Sequence, residues 1–302
     1  MTDETTRTDQ SHRLGARERV ERVNARTGRD LPAAIGVAVV LVGYLIATLV
    51  FWKPGFLILL AAGMAMASIE LHNALLRDAK IRTAVAPIAV GAVAMIVGAY
   101  LAQERDANFT PTTVLLVALA ATVLAAFVWR LPGGQEGFVR DTSASMLTIA
   151  YIPLLGSFLA LMIGAPDGPA RVATFVLSVA ASDVGGLAGG VLFGKHPMAP
   201  RISPKKTWEG LGGSLVLATA VAVPMTMYVL HAPAWVGALF AVLIVPVATC
   251  GDLIESMIKR DLGIKDMSHF LPGHGGILDR IDSILFAAPL GWFLLHALVP
   301  HA

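Results

Sequence analysis

Charge is scarce in this chain. Only 15% of its 302 residues are Asp, Glu, Lys or Arg, against roughly a quarter in an ordinary water-soluble domain. With 56% of the residues apolar, that deficit excludes a soluble globular protein and leaves an integral membrane one; no nucleic-acid partner is expected. Cysteine is nearly absent as well. The single Cys250 has no partner for an internal disulfide and fits no metal-ligand spacing, which leaves it as a small apolar packer. No His/Cys cluster of the kind zinc prefers is present. No cleavable signal peptide is expected, because such a signal places a short apolar core close behind a basic start, whereas here the first apolar run begins at residue 31 and is long enough to span. The stretch GGVLFGKH (189–196) almost spells a phosphate-binding P-loop. His196 stands where that motif needs Ser or Thr for magnesium, and the pattern ends an apolar helix instead of joining strand to helix.

In place of charge there are long apolar runs. About 17 to 25 mainly apolar residues cross a bilayer as a helix, and such runs lie near 31–52, 55–72, 84–102, 112–130, 145–164, 171–193, 211–231, 234–255 and 283–299. The expectation is an all-α polytopic membrane bundle of about nine transmembrane helices. It divides into a disordered tail (1–30), an N-terminal transmembrane region (31–164) and a C-terminal transmembrane catalytic region (165–302). The tail carries seven arginines and six acids among few large apolar residues, a composition that buries too little surface to fold. Lys and Arg concentrate in cytoplasmic loops. With the N-terminus cytoplasmic, twenty of the 23 fall on the tail's side and only Lys53, Arg105 and Arg171 on the other. This orientation predicts a multi-pass protein of the cell membrane with its C-terminus outside. Its basic cytoplasmic face suits anionic headgroups, as does that of any inner-membrane protein.

Three polar stretches fall on that side: ASDVGGLAGGVLFGK (181–195), RISPKKTWEGLGG (201–213) and GDLIESMIKRDLGIKDMSHFLPGHGGILDRIDS (251–283). Asp183 sits midway along an apolar run, where an ionisable residue is costly and by default functional; the plainer reading is a carboxylate protonated or bonded to a neighbouring helix. Gly185, Gly186, Gly189 and Gly190 around it let another backbone approach closely, and a groove along Gly185 and Gly189 is the expected lateral route for a lipid. In the second stretch Thr207 is a candidate helix cap, and Lys205 and Lys206 beside a helix N-terminus make an anion site, or simply obey the charge bias. In the third, Asp252, Glu255, Ser256 and Lys259 share one helical face, LPGHGG supplies permissive backbone, and Asp279, Asp282 and Ser283 open the last helix. Hard oxygen donors of this kind suit Mg²⁺ together with substrate phosphates, and Lys259, Arg260, Lys265 and Arg280 are the cations that clamp phosphate oxygens. The residues point to a metal-dependent nucleotide or phosphate site at the membrane surface. An ion-coupled transporter also buries an acid among glycines, and these residues leave it open.

The segment SMIKRDLGIKDMSHFLPGHGGILDRID (256–282) resembles the signature of the phosphatidate cytidylyltransferases. Ser256, Lys259, Arg260, Lys265, Asp266, Pro272, His274, Gly275, Gly276, Asp279, Arg280 and Asp282 fill its fixed positions, and SPKKTWEG (203–210) looks like a second family motif. The chain departs from the family pattern beside Asp183, where Val184 and Leu187 replace a serine and an aromatic. The resemblance implies that CTP and phosphatidate, a membrane lipid, give CDP-diacylglycerol and pyrophosphate. It further implies Asp252 and Asp279, with Asp282 and Asp183, as carboxylates for Mg²⁺ and for a second ion, divalent or potassium. Lys259, Arg260, Lys265, Asp266, His274 and Arg280 are the implied catalytic residues. Ser203, Lys205, Lys206, Thr207, Ser256, Gly275 and Gly276 are the implied substrate-binding ones, in a homodimer. A cytidylyltransferase for another lipid phosphate fits the same motif.

Overall fold

The structure is a computed structural model and describes residues 40, 43–104, 109–268 and 275–300. The tail, residues 31–39 and 41–42 of the first apolar run, Pro272 and His274 lie outside the described residues. After a helical stretch at 43–51 come α1 (Lys53–Ala79), α2 (Val85–Glu104) and α3 (Pro111–Arg130). Then α4 (Phe138–Ile149) passes through a π-helical turn (Ala150–Leu154) into α5 (Leu155–Ile163). The C-terminal region is α6 (Gly168–Phe193), a hairpin of β1 (Pro197–Ala199) and β2 (Ser203–Thr207), α7 (Trp208–Pro224), α8 (Ala234–Asp261) and α9 (Leu278–Leu298). Eight helical segments among the described residues are long and apolar enough to cross a membrane, α4 and α5 counting as one. The bundle is all-α as expected. Of the nine expected spans, the first is described only at residue 40 and from 43 on, half of its expected length.

Local chemistry explains the boundaries. Proline opens α1, α3 and α6, where its missing N–H costs nothing. Pro153 lies inside the π turn and Pro224 borders a second one at Met225–Val229; a ring that removes one helical hydrogen bond is accommodated by widening the turn. The chain between α6 and α7 forms a two-stranded antiparallel hairpin, an element that hydropathy had not predicted, because its residues are neither periodic nor apolar. Helices α1 and α8 both run past the apolar runs that announced them, to Ala79 and Asp261.

One apolar core reaches from Leu49 to Val299. Its fully buried side chains include Phe175, Phe240, Ile152, Ile163 and Ile244, while Val90, Val117, Leu124, Val191 and Val216 stay exposed, as side chains that face lipid do. Arg171 pins one end of the bundle. Its guanidinium is 2% exposed, bonds Asp167 at 2.5 Å and donates to the carbonyls of Leu295 and Pro300. It thereby adds a charged donor at the carbonyl end of α9, beside the Leu295 carbonyl that Val299 N already caps. The beginning of α6 therefore lies beside the end of α9, and the chemistry-bearing ends lie at the opposite pole.

Gly185 and Gly189 of α6 do not line a groove. A Cβ on Gly185 would stand 2.9 Å from the Gly213 carbonyl carbon, and one on Gly189 would stand 3.0 Å from the Glu209 oxygen. The α7 backbone fills that face, and Ser214 Oγ donates to the Ser182 carbonyl at 2.7 Å across it. The expected lipid route along Gly185 and Gly189 is thus corrected to a close helix contact. Gly213→Leu is expected to destabilise the fold by about 2–3 kcal/mol through overpacking, read as earlier loss of the monodisperse species on heating in detergent. Gly212→Leu, whose Cβ meets nothing within 4 Å, should leave it unchanged.

Candidate functional site

Four helix ends and the hairpin converge at the pole opposite Arg171. Thr207 caps α7 as its sequence position predicts, its Oγ1 accepting from Gly210 N at 3.1 Å. That cap fixes the exit of β2 and points Lys206 at α8, where its Nζ stands 2.6 Å from Asp252 Oδ2. Ser256 Oγ, one turn along, donates to Asp252 Oδ1 at 3.3 Å. A cavity of about 270 Å³ opens between these elements, and its lining includes Asp183, Lys205, Lys206, Thr207, Ser214 and Asp252. Asp183 and Asp252, from different helices, therefore face one space with two lysines at its edge.

A second cluster lies against the first. Lys259 is held between Glu255, one turn back on α8, and Asp279 Oδ1 of α9 at 2.8 Å. Asp279 Oδ2 accepts from the backbone N–H of Gly276 at 2.8 Å and of Met267 at 3.1 Å. One carboxylate thus ties α8, the segment after it and the first turn of α9. Gly275 takes φ +83°, the left-handed region where glycine is at home. Asp282 joins the two clusters: it is buried and lies within electrostatic reach of Asp252, Asp183 and Lys259. Gly251 makes this possible, since a Cβ there would stand 2.8 Å from the Asp282 carbonyl oxygen.

The remaining expected residues divide by exposure. Arg260 donates to the Ile202 carbonyl at 3.3 Å and so fastens the hairpin to α8. Lys205, Lys265 and Arg280 are exposed, and Ser203 and Asp266 half-buried. His274 lies outside the described residues. Among the described residues no three Asp, Glu, His or Cys side chains already form a metal cage. The donor set nevertheless fits a hard cation. Asp183, Asp252, Asp282, Glu255 and Asp279 crowd this pole, Lys206 and Lys259 make the ion pairs with them, and the buried Glu255 Oε1 has no partner among the described residues. Carboxyl oxygens gathered in this way are hard donors, and Mg²⁺ takes one or two carboxylates plus substrate phosphates where a protein cage is incomplete.

Comparison with known proteins shows which family the chain is part of. A model described as the cytidylyltransferase family matches residues 32–298. The chain belongs to the cytidylyltransferase family. It is similar to the phosphatidate cytidylyltransferase of Mycobacterium leprae, 39% identical over 286 residues that cover 89% of each chain. The phosphatidate cytidylyltransferase of Mycobacterium bovis is 38% identical over 294 residues, 93% of each chain. That of Staphylococcus epidermidis is 32% identical over 250 residues, 82% of this chain and 94% of the relative. The transporter alternative gives way to a CTP-dependent nucleotidyltransferase family, and the resemblance, expected from motifs within 203–282, extends over nearly the whole chain.

Sequence reasoning placed Glu255 on the right helical face but gave it no role, and it passed over Glu70 altogether. Glu70 stands on α1 inside an apolar run, the same signal that singled out Asp183. Its carboxylate reaches Ser268, Ile277 and Leu278. For this candidate site, the Lys206 charge in the cavity wall sets a first test. Lys206→Met is expected to weaken CTP binding about tenfold or more, measured by titration of the purified protein in detergent, whereas Lys195→Met at the exposed end of α6 should leave it unchanged.

Proposed function

We propose that this member of the cytidylyltransferase family is a phosphatidate cytidylyltransferase, converting CTP and phosphatidate to CDP-diacylglycerol and pyrophosphate. The observation that carries the reading is the cavity where Asp183 and Asp252 face Lys205 and Lys206 beside a lipid-type surface, with Val184, Leu187 and Val191 59–75% exposed on the same helix. A charged nucleotide and a lipid headgroup need such a border between polar and apolar surface. The names of the relatives from Mycobacterium leprae, Mycobacterium bovis and Staphylococcus epidermidis point the same way.

The phosphatidate oxygen attacks the α-phosphorus of CTP, a new P–O bond forms, and the bond to the bridging oxygen of pyrophosphate breaks. The nucleophile is a phosphate monoester with a second pKa near 6, largely anionic at neutral pH, so no strong general base is needed. The residues must instead bind, orient and offset negative charge. Lys205 and Lys206 meet the phosphates from the hairpin side, Arg260, Lys265 and Arg280 from the rim, and Lys259 holds Asp279 in register. Asp252 and Asp183, with Asp282 behind them, would hold a divalent cation such as Mg²⁺, which when bound supplies charge neutralisation on the phosphates and leaving group. Asp279 is engaged by Lys259 and two backbone amides, which favours a structural share in the site beside any metal contact. The resemblance to the family supports a homodimer.

The charge asymmetry of the loops supports a cytoplasmic N-terminus and a site on that side of the cell membrane, where CTP is made. In a Cys250→Ser background, a cysteine at Lys195 should react with an impermeant maleimide only after permeabilisation, and one at Arg105 should react in intact cells. The reversed pattern would invert the topology. Purified protein in detergent should release pyrophosphate from CTP only when phosphatidate and Mg²⁺ are both supplied, and chelation should abolish release. Asp252→Asn is expected to lower kcat by about 100-fold or more and to raise the Mg²⁺ concentration for half-activation. An isoprenoid ether lipid phosphate used in preference to phosphatidate would reassign the lipid substrate.

A further inference from the structure

Glu70 belongs to no motif of the site, yet it is bound into the site's most chemistry-rich turn. It sits in α1 at 6% exposure, and a carboxylate within a membrane span persists only where neighbours satisfy it. Its Oε1 accepts from Ser268 Oγ at 2.6 Å and from Ile277 N at 3.0 Å, and its Oε2 accepts from Leu278 N at 3.0 Å.

Helix α9 has no capping side chain of its own, its N-cap position being Ile277. The open N–H groups at a helix start need an acceptor, and a carboxylate there also meets the positive end of the helix dipole. Glu70 supplies both from 207 residues away in sequence. It divides the turn with Asp279: Glu70 takes the amides of Ile277 and Leu278, and Asp279 takes those of Gly276 and Met267. Gly276 is what lets the two acids close on one turn. A Cβ there would stand 2.8 Å from Glu70 Oε2 and 3.0 Å from Asp279 Oδ2. Because Glu70 also holds Ser268, it fixes the chain on both sides of the glycine-bearing connection between α8 and α9. Asp279, Arg280 and Asp282 follow directly on the turn it caps.

We infer that Glu70 is a positioning residue of the nucleotidyl transfer, an external cap that sets the direction of α9 and with it the geometry of Asp279, Arg280 and Asp282 around CTP. The inference rests on the reading of the chain as a phosphatidate cytidylyltransferase. Gln in place of Glu turns an amide donor toward one of the N–H groups and removes the charge, whereas Asp keeps the charge one methylene short.

Two readouts on full-length protein in detergent test it. In Glu70→Gln, amide hydrogen exchange in peptides spanning 276–282 should accelerate about tenfold or more, the size expected for lost bonds to a charged acceptor, with exchange across α2 and α3 unchanged. The KM for CTP should rise about fivefold or more, with Glu70→Asp between wild type and Glu70→Gln. A smaller folded fraction would lower apparent kcat and leave KM unmoved. Ser268→Ala removes one bond of the same tie and should raise KM about two- to threefold, and the double variant should be no worse than Glu70→Gln alone, since coupled residues are not additive. Unchanged exchange at 276–282, an unchanged KM, or multiplicative effects in the double variant would each overturn the inference. If Glu70→Gln fails to fold, Ser268→Ala decides by the same exchange and KM measurements. A wild-type protein inactive on CTP and phosphatidate would count against the functional reading instead, while the exchange arm would still decide whether Glu70 caps α9.

Discussion

The site end depends on Lys259 lying between Glu255 and Asp279. Charges taken out of water are costly unless each finds partners of the opposite sign and further hydrogen bonds, and here the pairing joins two helices that sequence separates by a connection rich in glycine. Removing Lys259 would leave two carboxylates facing each other across α8 and α9. Removing Asp279 would also release the amides of Gly276 and Met267. The register of α8 against α9, and so the approach of Asp282 to Asp252 and Asp183, follows from this one contact and from Gly251, which lets the backbones close.

Around it the protein solves one problem at two poles. At one end Arg171 closes the carbonyl terminus of α9; at the other, Glu70 closes its amide terminus. A cation at the C-terminus and an anion at the N-terminus are the arrangement the helix dipole favours. Both caps come from other helices, which turns a local need of α9 into a tertiary tie. Between these poles, the contact of α6 with α7 through glycine and serine replaces the hydrophobic effect, which has little to offer between helices bathed in lipid. Rigid packing there holds Asp183 and the Lys206 hairpin at a fixed spacing, and that spacing makes the cavity.

Legibility from sequence varied with the kind of signal. Apolar runs gave the spans, because only a continuous helix satisfies backbone groups in lipid, and the density of the 256–282 signature gave the family. The shared face of Asp252, Glu255, Ser256 and Lys259 was also readable, since helical spacing is a local property. The β1–β2 hairpin and the occupancy of the glycine face of α6 were not. Both depend on which segment comes to lie opposite, and small residues look alike whether they line a groove or a helix contact. Glu70 carried a readable signal, an acid inside an apolar run, but its partners are remote in sequence and no spacing rule links it to residues 268–278.

The sequence by itself determined that this is a multi-span helical membrane protein of the cytidylyltransferase family with acids, bases and glycines concentrated near its C-terminal helices. Hydropathy, local periodicity and a dense motif are properties of short segments, so they survive without a fold. Only the tertiary structure decided the partners: Lys206 with Asp252, Lys259 with Asp279, and Glu70 with the first turn of α9. Hydrogen bonds and ion pairs act over a few ångströms between residues as far apart in sequence as Glu70 and Ile277, and which of many compatible acids meets which base is settled when the helices pack.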